Sequence, residues 1–262
     1  MALRFKSFLS GSGGNAALLW SENGGLLVDF GPGSQRDSRA VIAEARALCG
    51  ELLGAVITHA HGDHINRNSL KALAGAGLKA YCHPLTAEQI ETRCGRGYAG
   101  VVASFDGALA LGDFTVTQAE VPHAPGCHTC ALDVTWGRGL ARRRAAVFTD
   151  LHAFSEMHVA FAAGADLLLL EANHDPELRR LNPHPGSEYH LSNPLAADFL
   201  RRVCEADGPP QAVVLAHLSA DCNRPDLPEL EVRRYFKKKR KPLKFRLHTA
   251  PRDSAGEVLE ID

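Results

Sequence analysis

Residues 58–64 read Thr58-His59-Ala60-His61-Gly62-Asp63-His64, three imidazoles and a carboxylate within six positions. An apolar run, Leu52-Leu53-Gly54-Ala55-Val56-Ile57, comes directly before it. That order predicts a buried strand whose end delivers His59, His61, Asp63 and His64 from a single loop. Alternate residues of an extended chain face one way, so His59 and His61 can share one ion while the residues that follow turn toward a second. Imidazole with carboxylate suits zinc, manganese or iron better than calcium or magnesium. A fold that buries such a loop has to bring further donors to the same place.

Size and charge narrow the classes. The chain has 262 residues with 45% hydrophobic content, enough for one large domain with its own core. Its 29 basic and 30 acidic residues give a net charge of -1, so any nucleic-acid surface has to be local. The start, Met1-Ala2-Leu3-Arg4-Phe5-Lys6, has no apolar signal core, and no apolar run reaches membrane-span length. The seven cysteines are odd in number and dispersed, which predicts reduced thiols and a cytoplasmic location.

Strand and helix patterns alternate along both halves. Arg4–Leu9, Ala16–Trp20, Gly25–Asp29, Ala55–Ile57, Lys79–Cys82, Phe114–Val121, Ala131–Trp136, Ala145–Thr149, Asp166–Leu170 and, as a final core strand, Ala212–Leu215 read as strands, and Leu243–Thr249 closes the chain. Ser10–Asn15 reads as a small-residue loop, and Glu22-Asn23-Gly24 as a hairpin turn. Ser38–Cys49, Asn66–Ala74, Pro84–Cys94 and Ser192–Glu205 read as helices. No linker or repeat divides the chain, so residues 1–262 are expected to form one domain. The expected class is α/β: two sheets face to face, with helices outside.

Three further positions repeat the order of apolar strand, donor, loop: His123 in Val121-Pro122-His123, Asp150 in Val147-Phe148-Thr149-Asp150, and His217 in Val214-Leu215-Ala216-His217. Each alone is an ordinary surface histidine or capping aspartate. Together they could supply a third imidazole for the first ion, a bridging carboxylate, and the completion of the second ion.

On these residues the chain resembles the metallo-β-lactamase superfamily, whose motifs fall in order at Asp29, His59–His64, His123, Asp150 and His217. The resemblance implies an αββα sandwich of two mixed sheets, with the metal site at one edge. It also implies that Asp29 orients the histidine loop without binding metal. Ser10-Gly11-Ser12-Gly13-Gly14-Asn15-Ala16, Leu170-Glu171-Ala172-Asn173-His174-Asp175, His190-Leu191-Ser192-Asn193 and His217-Leu218-Ser219 resemble the narrower YycJ/WalJ branch, as do Asn223 and Pro225. That likeness implies a metal-dependent nuclease with 5′-to-3′ exonuclease action on DNA. The chain departs from the branch pattern at Ala124, His152 and Tyr189.

The expected reaction is two-metal phosphodiester hydrolysis, with a metal-bridging hydroxide attacking phosphorus in line. His59, His61 and His123 are assigned to the first ion, and Asp63, His64 and His217 to the second. Asp150 bridges, and Asp63 also orients the hydroxide. The cofactors are two divalent ions, zinc or manganese, with iron also compatible. His190 is left over and can donate a hydrogen bond to a phosphoryl or leaving oxygen. Ser192, Asn193 and the first amides of their helix are expected to bind phosphate, with helix capping by Ser192 or Asn193 as the plain alternative. Asn173 and His174 are candidates for supporting or substrate-facing groups.

Two features stay open at this level. Cys127-His128-Thr129-Cys130 resembles half a zinc ribbon, but no second Cys-x-x-Cys exists; His128 is a reserve for His123. Arg233–Lys241 holds seven basic residues in nine, which reads either as a nucleic-acid contact or as a solvated helix end. Arg142-Arg143-Arg144 reads as a hairpin tip. The partner favoured is DNA. The competing readings are a hydrolase of a cyclic phosphodiester, thioester or lactam, a di-iron redox protein, and a non-catalytic module on the same fold.

Overall fold

The computed structural model describes residues 2–262 except 138, 140, 141 and 184. Strands β1 (Leu3–Gly11), β2 (Gly14–Ser21), β3 (Gly24–Phe30), β4 (Leu52–Val56), β5 (Ala80–Cys82) and β6 (Val102–Ser104) lie in one sheet. Strands β7 (Leu109–Leu111), β8 (Phe114–Val121), β9 (Thr129–Trp136), β10 (Arg143–Phe148), β11 (Leu167–Glu171), β12 (Ala212–Ala216) and β13 (Arg246–Thr249) make the other. The last strand, β14 (Leu259–Ile261), returns to the first sheet beside β1. The orders are β14-β1-β2-β3-β4-β5-β6 and β13-β12-β11-β10-β9-β8-β7, each part antiparallel and part parallel.

Period-2 alternation divides each buried strand between two cores. Leu26 and Val28 face the space between the sheets, whereas Leu27 packs outward under helices α1 (Gln35–Cys49), α2 (Arg67–Gly75) and α3 (Pro84–Cys94). Leu167 and Leu169 likewise face inward. Leu168 and Leu170 face outward under α4 (Glu156–Ala162), α6 (Asn193–Asp207) and α7 (Leu227–Lys238); short α5 (Pro176–Leu181) has no buried residue. The result is the expected αββα sandwich. Because both faces are covered, β12 is apolar throughout and β11 is apolar up to its terminal Glu171, which is why their periodicity was legible only as a continuous run.

Strand direction explains where the donors meet. Strands β10, β11 and β12 run parallel, and β8 runs with them because both it and β10 are antiparallel to β9. In the other sheet β3 and β4 are parallel. The segments carrying His59–His64, His123, Asp150 and His217 leave the carboxyl ends of these strands, the usual place for a site in a mixed α/β sheet.

Several local expectations change. The Ser10–Asn15 loop is a tight hairpin turn, because β1 continues to Gly11 and β2 begins at Gly14. Helices α4 and α5 and strands β6, β7 and β14 were not legible, being short, and of α7 only the basic end was read, as one of two alternatives. Arg143 and Arg144 belong to β10 rather than to a tip. Arg144 ties the strand to Asp133 on β9 at 2.8 Å and to the Phe161 and Ala163 carbonyls.

Candidate metal centre

The His59–His64 loop is held from three sides. Asp29 Oδ1 accepts from the Thr58 amide at 2.9 Å, and its Oδ2 lies 2.8 Å from His64 Nδ1. The β1–β2 hairpin supplies Asn15, whose amide group lies 3.2 Å from Asp63 Oδ2 and 2.9 Å from His64 Nε2. On the same hairpin Ser10 Oγ accepts from the His217 amide at 2.9 Å. The chain also approaches closely at Gly31, where a Cβ would stand 1.8 Å from the Asp63 carbonyl oxygen.

The donors from the different strand ends converge. Nδ1 of His61 and Nε2 of His123 are 3.2 Å apart. Oδ2 of Asp150 lies 3.0 Å from His64 Nε2, and its Oδ1 lies 3.6 Å from His217 Nε2 and 3.8 Å from His123 Nε2. His217 Nε2 is 3.3 Å from Asp63 Oδ2. Donor atoms of His59, His64 and Asp150 lie within 4.8 Å of one another, as do those of Asp63, His64 and His217. All seven residues expected as ligands therefore surround one space. Asp29, Asp150 and His217 hold positive φ angles of 53°, 59° and 55°, a conformation that β-strand ends rarely take and that sites often retain.

Charge divides the imidazoles into two kinds. His59, His61 and His123 are pushed down by burial, His61 to about 4, so these rings are neutral near pH 7. Burial also opposes charge on His64 and His217, but the carboxylates of Asp150, Asp29 and Asp63 around His64, and of Asp150, Asp63 and Glu171 around His217, outweigh it. His217 rises to about 10, and His64 is held well above the ordinary imidazole value. Buried carboxylates thus require positive charge at this point.

These residues fit divalent cations. His59 is fully buried, and its Nε2 has no hydrogen-bond partner. Asp150 Oδ2 and His64 Nε2 lie 3.0 Å apart, close enough to serve one ion. The rings are also aimed from behind: Tyr189 O lies 2.9 Å from His123 Nδ1, and Thr58 Oγ1 lies 3.1 Å from His59 Nδ1.

One buried residue had no role in the sequence reading. Glu171, at the end of β11, places Oε1 2.7 Å from His190 Nδ1 and 3.0 Å from His217 Nδ1. Its Oε2 accepts from the Leu151 and Leu191 amides at 3.0 and 3.1 Å. The signal was a carboxylate closing an all-apolar strand. Ser10, Asn15 and Thr58 were also missed as supports; only their tertiary neighbours reveal them.

The phosphate-binding expectation changes. Asn193 is 1% exposed and forms a mutual amide pair with Asn223 at 3.2 and 3.0 Å, so it does not face a substrate. The first amides of α6 are also taken. Asn193 N–H goes to His174 O, Leu195 N–H reaches Ser192 Oγ at 3.5 Å, and Pro194 has none. Ser192 is therefore the helix cap. His190 and Asp63 keep solvent contact, with side chains 18% and 21% exposed against 2% for Asp150. Asn173 supports the centre by donating to the His217 carbonyl at 2.8 Å, while His174 is buried with an unpartnered Nδ1.

Cys127 and Cys130 do not form a half-ribbon. Cys130 Sγ lies 3.4 Å from His128 Nε2, whose ring packs on His83, whereas Cys127 joins His59 and His61. His128 stands outside the centre. An opening of about 300 Å³ beside His61 is lined by Gln89, Thr92, Arg93, Pro125, Gly126 and Cys127. The basic run lies elsewhere: Lys241 pairs with Glu205, thirteen residues along α6 from Ser192, or about 20 Å at 1.5 Å per residue.

Two mixed sheets, outer helices and this centre define a hydrolase of the metallo-β-lactamase fold. Residues 26–218 match the β-lactamase superfamily domain, and the chain belongs to that superfamily. It is 27% identical over 249 residues to the exodeoxyribonuclease YycJ of Bacillus anthracis, covering 91% of each chain. It is 25% identical to the exodeoxyribonuclease WalJ of Streptococcus pneumoniae, covering 87% of this chain and 86% of that one. Among solved structures, the metallo-β-lactamase fold protein YhfI of Bacillus subtilis superposes with a TM-score of 0.72 at 19% identity, covering 99% of this chain and 100% of that one. Human short-form tRNase Z superposes with a TM-score of 0.64 at 16% identity, with 99% of each chain covered. The superfamily fold implies divalent metal ions at this position. No helix among the described residues is long and apolar enough to cross a membrane.

Proposed function

We propose that this protein is a two-metal phosphodiesterase that removes nucleotides from DNA in the 5′-to-3′ direction. The observation that carries the reading is the meeting of two donor sets at Asp150, whose Oδ2 faces His64 and whose Oδ1 faces His217 and His123. His59, His61 and His123 would hold one ion, Asp63, His64 and His217 the other, and Asp150 both. Two divalent ions so held would make a water nucleophilic near neutral pH and offset charge on the phosphoryl oxygens, with zinc or manganese the first candidates.

The chain's own groups then divide the work. Asp63, the most exposed carboxylate of the set, orients the attacking water. His190 is anchored through Nδ1 to Glu171, which leaves Nε2 to donate to a phosphoryl or leaving oxygen. Glu171 keeps the His190 ring charged beyond its ordinary range despite burial, so that donation is sustained. Arg93, exposed beside Gly62, faces the opening where a neighbouring phosphate would lie. DNA as the substrate draws on the two exodeoxyribonuclease relatives.

One observation favours the second reading, a small cyclic phosphodiester, thioester or lactam: the basic run is partly paired with Glu229, Glu231 and Glu205, the last of these near the end of α6 away from Ser192. The deciding assay incubates metal-loaded protein with end-labelled double-stranded DNA, single-stranded DNA and RNA, with His61→Ala and Asp150→Ala as controls. Stepwise shortening from the 5′ end of DNA, lost in both variants, is expected. Intact polymers in every lane would refute the nuclease and leave the small-substrate hydrolase.

A further inference from the structure

We propose that Cys127 is a sulfur ligand of the ion held by His59 and His61. The inference rests on the metal-binding reading of this centre and not on the choice of substrate. Sulfur of Cys127 and one ring nitrogen each of His59 and His61 lie within 4.8 Å of one another. A second observation points to the same ion: His59 is fully buried, and its Nε2 finds no hydrogen-bond partner. Such an atom is costly to bury unless something binds it.

The loop between β8 and β9 is built to return to the centre. It leaves at His123, turns at Gly126 with φ 74°, closes with the Cys127 amide on Ala124 O at 3.0 Å, and is pinned by the Cys130 amide on Thr58 O at 3.0 Å. One short turn thereby delivers two donors, His123 and Cys127, to the same side. The sulfur is free of any disulfide. It accepts from Thr129 Oγ1 at 3.7 Å and from the Ala60 amide. Donors aimed at the sulfur orient it, but burial outweighs them and pushes the Cys127 thiol up, so its proton leaves to solvent only on coordination. A thiolate here biases the ion toward zinc, cobalt or iron and away from manganese, since soft sulfur discriminates against hard cations.

The test compares wild-type protein with Cys127→Ser, both stripped of metal and reloaded with Co²⁺ without oxygen. A sulfur-to-cobalt charge-transfer band in the near ultraviolet is expected in wild type and absent from the variant, with visible cobalt bands in both. Identical near-ultraviolet spectra would overturn the assignment while leaving the metal centre intact. Absence of visible cobalt bands from wild type would overturn the centre and the assignment together. X-ray absorption on zinc-loaded wild type needs no variant to fold: a sulfur shell at about 2.3 Å is expected, and nitrogen and oxygen alone near about 2.0–2.1 Å would sink the proposal. In competition, Cys127→Ser should shift the zinc-to-manganese preference toward manganese.

Discussion

Glu171 Oε1 lies 3.0 Å from Nδ1 of His217 and 2.7 Å from Nδ1 of His190, so one buried carboxylate oxygen aims two imidazoles at the same space. Its other oxygen is spoken for by the Leu151 and Leu191 amides. Glu171→Gln turns one of these acceptors into a donor and removes the charge that both rings face. Supporting groups of this kind typically contribute 10–100-fold to metal affinity or activity, so a loss of about that size is expected. Chelator competition with zinc would show it; an affinity within about twofold of wild type would rule the role out.

Asp29 is the joint between β3 and the histidine loop, accepting from Thr58 and facing His64. Asp29→Ala leaves these buried partners unsatisfied. Each unsatisfied buried donor costs about 1–3 kcal/mol, so urea midpoints of the metal-free variant should fall accordingly. Asp29→Asn, which retains one acceptor, should lose less. Equal stability of Asp29→Ala and wild type would contradict the assignment.

Gly31 has no room for a side chain, since a Cβ would stand 1.8 Å from Asp63 O and 2.1 Å from its carbonyl carbon. The obstacle is backbone, which cannot rotate away. Gly31→Ala should cost about 3 kcal/mol, the upper end for overpacking, and should displace Asp63. Thermal unfolding and zinc affinity measured on the same preparation should fall together.

The metal-free protein should lose stability as pH rises from 6.5 through about 10. His217 is raised to about 10 against burial, by Asp150, Asp63 and Glu171, while the unfolded ring titrates near its model value of 6.5. The folded state holds the proton more tightly, so this contribution is complete below 6.5 and vanishes as pH passes about 10. His64 shifts in the same direction. An ion bound through these nitrogens replaces the protons, so metal-loaded protein should not follow that decline. Urea midpoints across the window, with chelator and with zinc, make the comparison. A flat metal-free profile would disprove the charge pairing.

Much of the centre was legible because each donor sits at the end of an apolar strand, a pattern only a few residues long. His59–His64, His123, Asp150 and His217 all announce themselves this way. Asn193 misled for the same reason: its place at a helix start suggested an anion site. Only packing shows its side chain paired with Asn223 and its amide given to His174. The basic run stayed open between a nucleic-acid contact and a solvated helix end, because charge density carries no position.

From its own order of residues the chain determined the donor types, the strands that carry them and the two-sheet class, since these follow from periodicity and local chemistry. Tertiary structure alone decided which groups meet. Asp29 reaches His64 across 35 residues, Glu171 reaches His217 across 46, and Asn15 reaches Asp63 across 48. It also brought Cys127 to His59 and His61, apart from Cys130. Strand direction and sheet packing set these pairings, because burial of whole faces depends on the entire chain and on no single segment of it.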